Sequence, residues 1–228
     1  MKFIQQPQTL NVEKLCVDTQ NIGSRHGVLL PNTIRCIVCG PSNTGKTNLV
    51  IGLLLHEHGL QFQNVYVYSK TLYQPKYIFL EKVLKLVPSV SFDKFHGNEE
   101  VISPQDAKHN SIIIFDDVAC ESQNNMRDYF AMGRHRTIDC FYLNQTYSKI
   151  PKQLVRDNAN LIILFKQDDI NLRHVYDEHV NTDMTWIEFR EMCSKIWKEP
   201  YEYLVINKDC SKNNGCYRKK FDTFVVFE

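Results

Sequence analysis

Residues 40–47 read GPSNTGKT, a complete G-x-x-x-x-G-K-[ST] run. Gly40 and Gly45 let the backbone turn so that amide N–H groups converge on phosphate oxygens. Pro41, Ser42, Asn43 and Thr44 form the body of that loop. Lys46 is placed to reach β- and γ-phosphates, and Thr47 offers its hydroxyl to Mg²⁺. A helix beginning near Lys46 adds the positive end of its dipole. The chemistry is nucleoside triphosphate binding, with ATP and Mg²⁺ as the expected ligands. A second run, SIIIFDDV at 111–118, ends four apolar residues on paired acids. Acids at the carboxyl end of a strand lie where α/β sheets place ligands. Asp116 is expected to hold Mg²⁺ through water, and Asp117 to polarise the attacking water.

A third run, GRHRTIDCFYLNQTY at 133–147, puts arginines before an apolar strand and a carboxamide pair after it. If that strand lies beside the two preceding ones, Gln145 emerges next to the γ-phosphate, where it can sense hydrolysis. Arg134 and Arg136 then sit at the far end, out of reach of their own site but able to reach a neighbour's. An arginine supplied across an interface accelerates phosphoryl transfer by ~10³–10⁵.

These residues need a scaffold of parallel strands, and the chain offers one. Nearly continuous apolar runs at 34–39, 65–69, 111–115, 138–144 and 160–165 alternate with helical patterns. Such runs fit strands covered by helices on both faces, which predicts an α/β fold around a mostly parallel sheet. TNLVIGLLLHEHG is expected to be a helix stopped by Gly59. PKYIFLEKVLKLVP should be another, starting at Pro75, ending before Pro88, and burying Leu80, Val83, Leu84 and Val87. DDINLRHVYDEHV and DMTWIEFREMCSKIW also read as helical. YEYLVIN and FDTFVVF, joined across Asn214-Gly215, are expected to form a C-terminal β-hairpin. Residues 1–30 fit no α/β unit and read as an extension. Residues 31–228 read as a single P-loop domain.

Composition narrows the classes further. The 228 residues are 43% apolar with a net charge of +1, enough for one cored domain and no signature of a strongly basic nucleic-acid binder. No apolar run approaches the ~18 residues of a membrane span, so no membrane partner and an intracellular location are expected. Of eight cysteines, Cys36 and Cys39 form a CxxC inside a strand, and Cys210 and Cys216 lack a second pair. Reduced thiols are therefore expected, not a zinc knuckle. The histidines, among them His56, His58, His174 and His179, suggest no metal site. A GTPase is excluded, because the acid of INKDC (Asp209) comes one position too early for N-K-x-D. Asp116-Asp117-Val118-Ala119 is no D-x-x-G switch either. A small-molecule kinase would need an arginine-bearing lid, and no segment supplies one.

GRHRTIDCFYLNQTY resembles the G-R-x-x-x-I-x-x-x-x-x-x-Q stretch of the FtsK/HerA superfamily of ring-forming DNA translocases. Together with GPSNTGKT, IIIFDDV and DDINLRHVYDEHV, it is similar to the poxvirus-type genome-packaging ATPases of large DNA viruses, virophages and polinton-like elements. The resemblance spans roughly residues 28–180. It implies a P-loop NTPase (RecA-like) fold and ATP hydrolysis that drives double-stranded DNA through a homo-oligomeric ring of five or six subunits. It also implies a capsid or portal vertex as partner, and a location at viral assembly sites in host cytoplasm or nucleus or with the virion. By this resemblance Lys46 and Thr47 are Walker A, Asp116 and Asp117 Walker B, Gln145 the sensor and Arg134 the finger. Asp117 departs from the glutamate common in the wider superfamily, which bears on its role as base. A non-packaging translocase and a nucleotide-gated assembly scaffold are the alternatives.

In such rings the loops after the second-acid and sensor strands face the pore. Here those are VACESQNNMRD and TYSKIPKQ. Arg127, Lys149 and Lys152, helped by Tyr147, are the candidates for contacting DNA phosphates. With no base-reading set in view, binding indifferent to sequence is expected.

Overall fold

A computed structural model describes residues 24–97, 101–118 and 124–227. Its centre is a nine-stranded sheet in the order β3-β2-β4-β5-β1-β6-β7-β8-β9. The strands are β1 (Arg35–Cys39), β2 (Asn64–Ser69), β3 (Ser91–His96), β4 (Ser111–Asp116), β5 (Ile138–Asn144), β6 (Leu161–Phe165), β7 (Tyr203–Asn207), β8 (Tyr217–Lys219) and β9 (Thr223–Phe224). From β3 to β6 every pairing is parallel, and from β6 to β9 every pairing is antiparallel. The expected mostly parallel α/β sheet is therefore present.

The helices are α1 (Lys46–Leu55), α2 (Pro75–Leu84), α3 (Asn124–Met132), α4 (Asp169–Val175) and α5 (Trp186–Ile196). Alternation along each strand divides the core in two. Cys36, Val38, Ile112, Ile114 and Phe141 pack with Val50, Leu54 and Leu80 of α1 and α2. Ile37, Cys39, Ile113, Phe115 and Tyr142 pack on the other face with Phe130 of α3 and Phe189 of α5. The same alternation settles the CxxC. Residues three apart on a strand point to opposite faces, so Cys36 and Cys39, both free and buried, cannot share an ion. Burial pushes the Cys39 thiol up to about 12. Helix α5 opens on a capping box between Thr185 and Glu188, as T-x-x-E predicts.

Several expectations need correction. Helix α1 ends at Leu55, with His56 extended, well before Gly59. Gly59 instead permits a close approach, since a Cβ there would meet the Leu53 carbonyl oxygen at 2.1 Å. Helix α2 stops at Leu84, so Val87 lies in the following turn, exposed, and Tyr77 takes the buried place. The expected C-terminal hairpin forms across Asn214-Gly215, but with a different second strand. Strand β7 pairs with Tyr217–Lys219, and only Thr223–Phe224 of FDTFVVF enters the sheet, as the partner of β8. Strand β3 was not expected at all. Its half-buried edge position lets SFDKFH mix polar with aromatic residues, so it lacks the apolar run of a central strand.

Residues 24–30 lie against the domain. Asp139, fully buried at the start of β5, accepts from Ile34 N at 2.7 Å and pairs with His26 Nε2 and an Arg25 guanidinium nitrogen at 2.9 Å each. Arg25 also donates to Asn110 Oδ1. Removing one member of such a cluster leaves buried polar groups without partners. Asp139→Ala should therefore lower unfolding free energy by roughly 3 kcal/mol, read from urea denaturation midpoints.

Candidate nucleotide site

The site is built where β1, β4 and β5 end side by side. In the parallel register Cys39 pairs with Asn144, and Asp116 with Leu143. The loop leaving β1 is tied to β5, because Gly40 N donates to the Asn144 carbonyl at 3.1 Å. Gly40 has no room for a side chain, since a Cβ would meet the Phe165 Cβ at 2.6 Å and Thr44 Oγ1 at 2.9 Å. Asn43 (φ 61°) and Gly45 (φ 105°) take left-handed backbone that curls the loop onto the start of α1. Thr44 Oγ1 donates to the Pro41 carbonyl at 2.8 Å, closing the curl.

Lys46 arches back over this loop, with Nζ donating to the carbonyls of Gly40 at 2.6 Å and Pro41 at 2.9 Å. Burial lowers its pKa, opposed mainly by Asp116. Thr47 Oγ1 donates to Asp116 Oδ2 at 3.2 Å, so the hydroxyl and carboxylate expected to share Mg²⁺ do meet. Both are hard oxygen donors, and they fit a Mg²⁺ that keeps most of its water. A second hydroxyl, that of Tyr77 on α2, donates to the same Asp116 oxygen. Burial raises the pKa of Asp116, opposed by the Tyr77 and Thr47 hydrogen bonds and by Lys46. The adjoining acid behaves differently. Asp117 sits at φ 58°, which ends the strand and leaves its side chain exposed.

A polar cavity of about 110 Å³ gathers Lys46, Thr47, Asp116, Asp117, Asn144 and Gln145. Asn144 is buried and turns its Oδ1 onto the Gln145 N–H at 2.7 Å, ending the strand and leaving Gln145 exposed to the cavity. The Asn144 Nδ2 is itself buried with no acceptor among the described residues. No motif in the chain points to Tyr77, or to Thr71, Gln74 and Lys76, which line the same cavity from the segment joining β2 to α2 and from the start of α2. The available signal was topological. Placing β2 beside β4 turns its carboxyl-end loop toward the ligand.

Arg134 and Arg136 lie in a 3₁₀ turn, Gly133–Arg136, at the amino-terminal end of β5. The length of β5, about 3.3 Å per residue, separates them from the nucleotide end. The expected DNA contacts divide. Lys149 and Lys152 are exposed, in the turns Tyr147–Lys149 and Lys152–Arg156. Arg127 is not in a loop but half-buried on α3, which packs against the Lys152–Arg156 turn. Residues 119–123 of its segment lie outside the described residues. Tyr147 cannot touch DNA. It is fully buried, donating to Glu178 Oε2 at 3.0 Å and lying 2.6 Å from His179 Nε2. Among the described residues no helix is long and apolar enough to cross a membrane.

Sheet order and loop geometry together are those of a P-loop ATPase. The structure is similar to the genome packaging NTPase B204 from Sulfolobus turreted icosahedral virus 2, solved with AMP, at a TM-score of 0.54 and 12% identity, covering 79% of this chain and 95% of that one. B204 from Sulfolobus turreted icosahedral virus, described as a DNA-packaging ATPase, gives 0.55 at 14% identity, covering 76% and 92%. VirB4 of Thermoanaerobacter pseudethanolicus gives 0.50 at 9% identity, covering 92% and 91%. The sequence matches no protein-family model, and no curated protein is significantly similar to it.

The buried Asp116 has a measurable cost. A carboxyl whose folded pKa is raised above its ordinary 3.8 favours folding while protonated, and that contribution is lost as pH rises through the folded value. Asp116→Asn should flatten this part of the pH–stability curve in nucleotide-free protein, read by chemical denaturation across pH, and should abolish hydrolysis.

Proposed function

We propose that the chain is an ATP-driven translocase that moves double-stranded DNA, without regard to sequence, into a viral capsid. The observation that carries this reading is the position of β5. It lies between the strands that end in GPSNTGKT and in Asp116, with Gln145 at the nucleotide end and the Arg134–Arg136 turn at the other. One chain thus holds a triphosphate and a sensor but keeps its arginines away from its own phosphates. A ring of such chains completes every site with a neighbour's arginine. The likeness in fold to a packaging ATPase supports the cargo.

In this mechanism the loop amides and Lys46 hold the triphosphate. The Thr47 hydroxyl and, through water, Asp116 would hold Mg²⁺, which would supply positive charge against the triphosphate. Asp117 accepts a proton from the attacking water, its exposure at the cavity letting that water approach. Gln145 bridges water and γ-phosphate and loses one partner on hydrolysis, so the change passes along β5 to the arginine turn. Lys149 and Lys152 grip phosphates weakly enough to release them at each step. The ring seats on the capsid or portal vertex at sites of virion assembly.

Steady-state hydrolysis should rise with long duplex DNA and lose that stimulation as salt increases. Each of Lys149→Ala and Lys152→Ala should reduce the slope of log affinity against log salt by ~1. Hydrolysis indifferent to DNA would favour the assembly scaffold. Lys46→Ala should abolish turnover, and Arg134→Ala should lower it by ~10³ in assembled rings while leaving ATP binding intact. Mixed rings of the two variants should recover part of the activity. Full activity of Arg134→Ala rings would move the finger to Arg136 or remove it.

A further inference from the structure

The phosphate loop has two cavities, one on each side. The polar one holds Asp116 and Gln145, and Gly45 lines both. The other is an apolar groove of about 660 Å³, within the range of ordinary small-molecule sites. Its floor is Leu49 and Leu53 of α1, and its wall is aromatic. Phe165, at the end of β6, lies 5.3 Å from Tyr203 between ring centroids, and Tyr203 lies 5.9 Å from Phe221. A Cβ built on Gly45 would stand 3.6 Å from the Phe165 ring and 3.8 Å from the Tyr201 ring, so both rings border the loop itself.

Tyr201 is the unusual member. It holds a left-handed backbone at φ 65°, which is costly for an aromatic residue, and its side chain leaves the residue 69% exposed. Backbone strain of this kind clusters at ligand sites, and the exposed ring offers a face that a flat partner can cover. Thr44, Asn48, His56, His58 and Asp222 are the polar side chains lining the groove, and Asn48 and Asp222 are among those exposed.

Building on the reading of residues 40–47 as a triphosphate cradle, we propose that this groove receives the nucleoside half of the nucleotide, with the purine base stacked on Tyr201. Its continuity with the loop decides the occupant. A triphosphate lying on the loop amides has its γ-phosphate in the polar cavity with Asp116, and its opposite end leaves past Gly45 into the aromatic groove. That end is a ribose and a flat, weakly polar ring system. Tyr201, Phe165 and Leu49 match the base, and Asn48 can donate to or accept from the ribose hydroxyls while Asp222 accepts from them. Stacking reads the face of a base and not its edge, so affinity comes from the ring while the phosphates stay where the loop puts them.

Binding of ATP and of inorganic tripolyphosphate to the full chain tests this directly. Tyr201→Ala should weaken ATP by roughly 10- to 100-fold and leave tripolyphosphate unchanged. Tyr201→Phe should keep the wild-type affinity for ATP. Tyr201→Gly, which suits the left-handed backbone, should bind ATP as weakly as the alanine variant and so separate loss of the ring from loss of folding. Wild-type affinity for ATP in Tyr201→Ala would overturn the base site. Equal weakening of both ligands would overturn it too, by showing that the ring acts through the phosphate loop. Wild-type protein that binds neither ligand would instead remove the phosphate-loop reading, and the base site with it.

Discussion

Everything in this molecule that resembles chemistry hangs on the parallel ladder joining β4, β5 and β1. Parallel strands must be connected by crossovers, and crossovers place every strand's carboxyl end on one edge. Three sequence segments with no local relation therefore come together there. The Gly40 N–H bonded to the Asn144 carbonyl extends the ladder by one rung past β1, so the loop begins already attached to the end of β5. The same ladder makes Gln145 and the Arg134–Arg136 turn opposite ends of one rigid rod. A change felt at one end has a short physical path to the other, through backbone hydrogen bonds buried on both faces.

On that frame the site is deliberately unrelaxed. Asp116 is a nearly buried carboxylate whose ionised form is supported by two hydroxyls, those of Thr47 and Tyr77, and by Lys46. Hydroxyl donors soften the desolvation of a carboxylate without neutralising it, which leaves its charge available to a cation. A lysine bonded directly to Asp116 would have satisfied it and removed that capacity. Lys46 instead spends its own hydrogen bonds on the Gly40 and Pro41 carbonyls. Tyr77 is thus more than core: it couples α2, which also carries Lys76 at the cavity, to Asp116.

The sequence was most legible where local pattern and backbone demand coincide. The phosphate loop, the acid-ending strand and the carboxamide-ending strand all carry their geometry in residue type, and all meet as expected. It was least legible where tertiary position overrides pattern. Strand β3 hides because an edge strand needs no apolar run, and the β7–β8 pairing hides because a polar loop disguises which segment returns. Tyr147 looked like a loop aromatic ready for a ligand. Only its contacts with Glu178 and His179 show that it anchors the turn carrying Lys149. Tyr77 and Tyr201 have no motif at all, because their roles come from which strand lies beside which.

The two cavities flanking the phosphate loop also divide the work of holding a nucleotide. As a motor, the role proposed for it, the chain must hold the triphosphate firmly enough for chemistry yet release the diphosphate each cycle. Dividing the job lets it do both. The polar side, with Lys46, Asp116 and Gln145, interacts with groups that change on hydrolysis, while an aromatic side would interact with groups that do not. Only the first can report the state of the nucleotide to β5. Affinity gained on the second is the same before and after cleavage, so it retains the ligand without resisting the step. That separation requires the loop itself to be rigid. The crowding of Gly40 against Phe165 and the left-handed turns at Asn43 and Gly45 favour that rigidity.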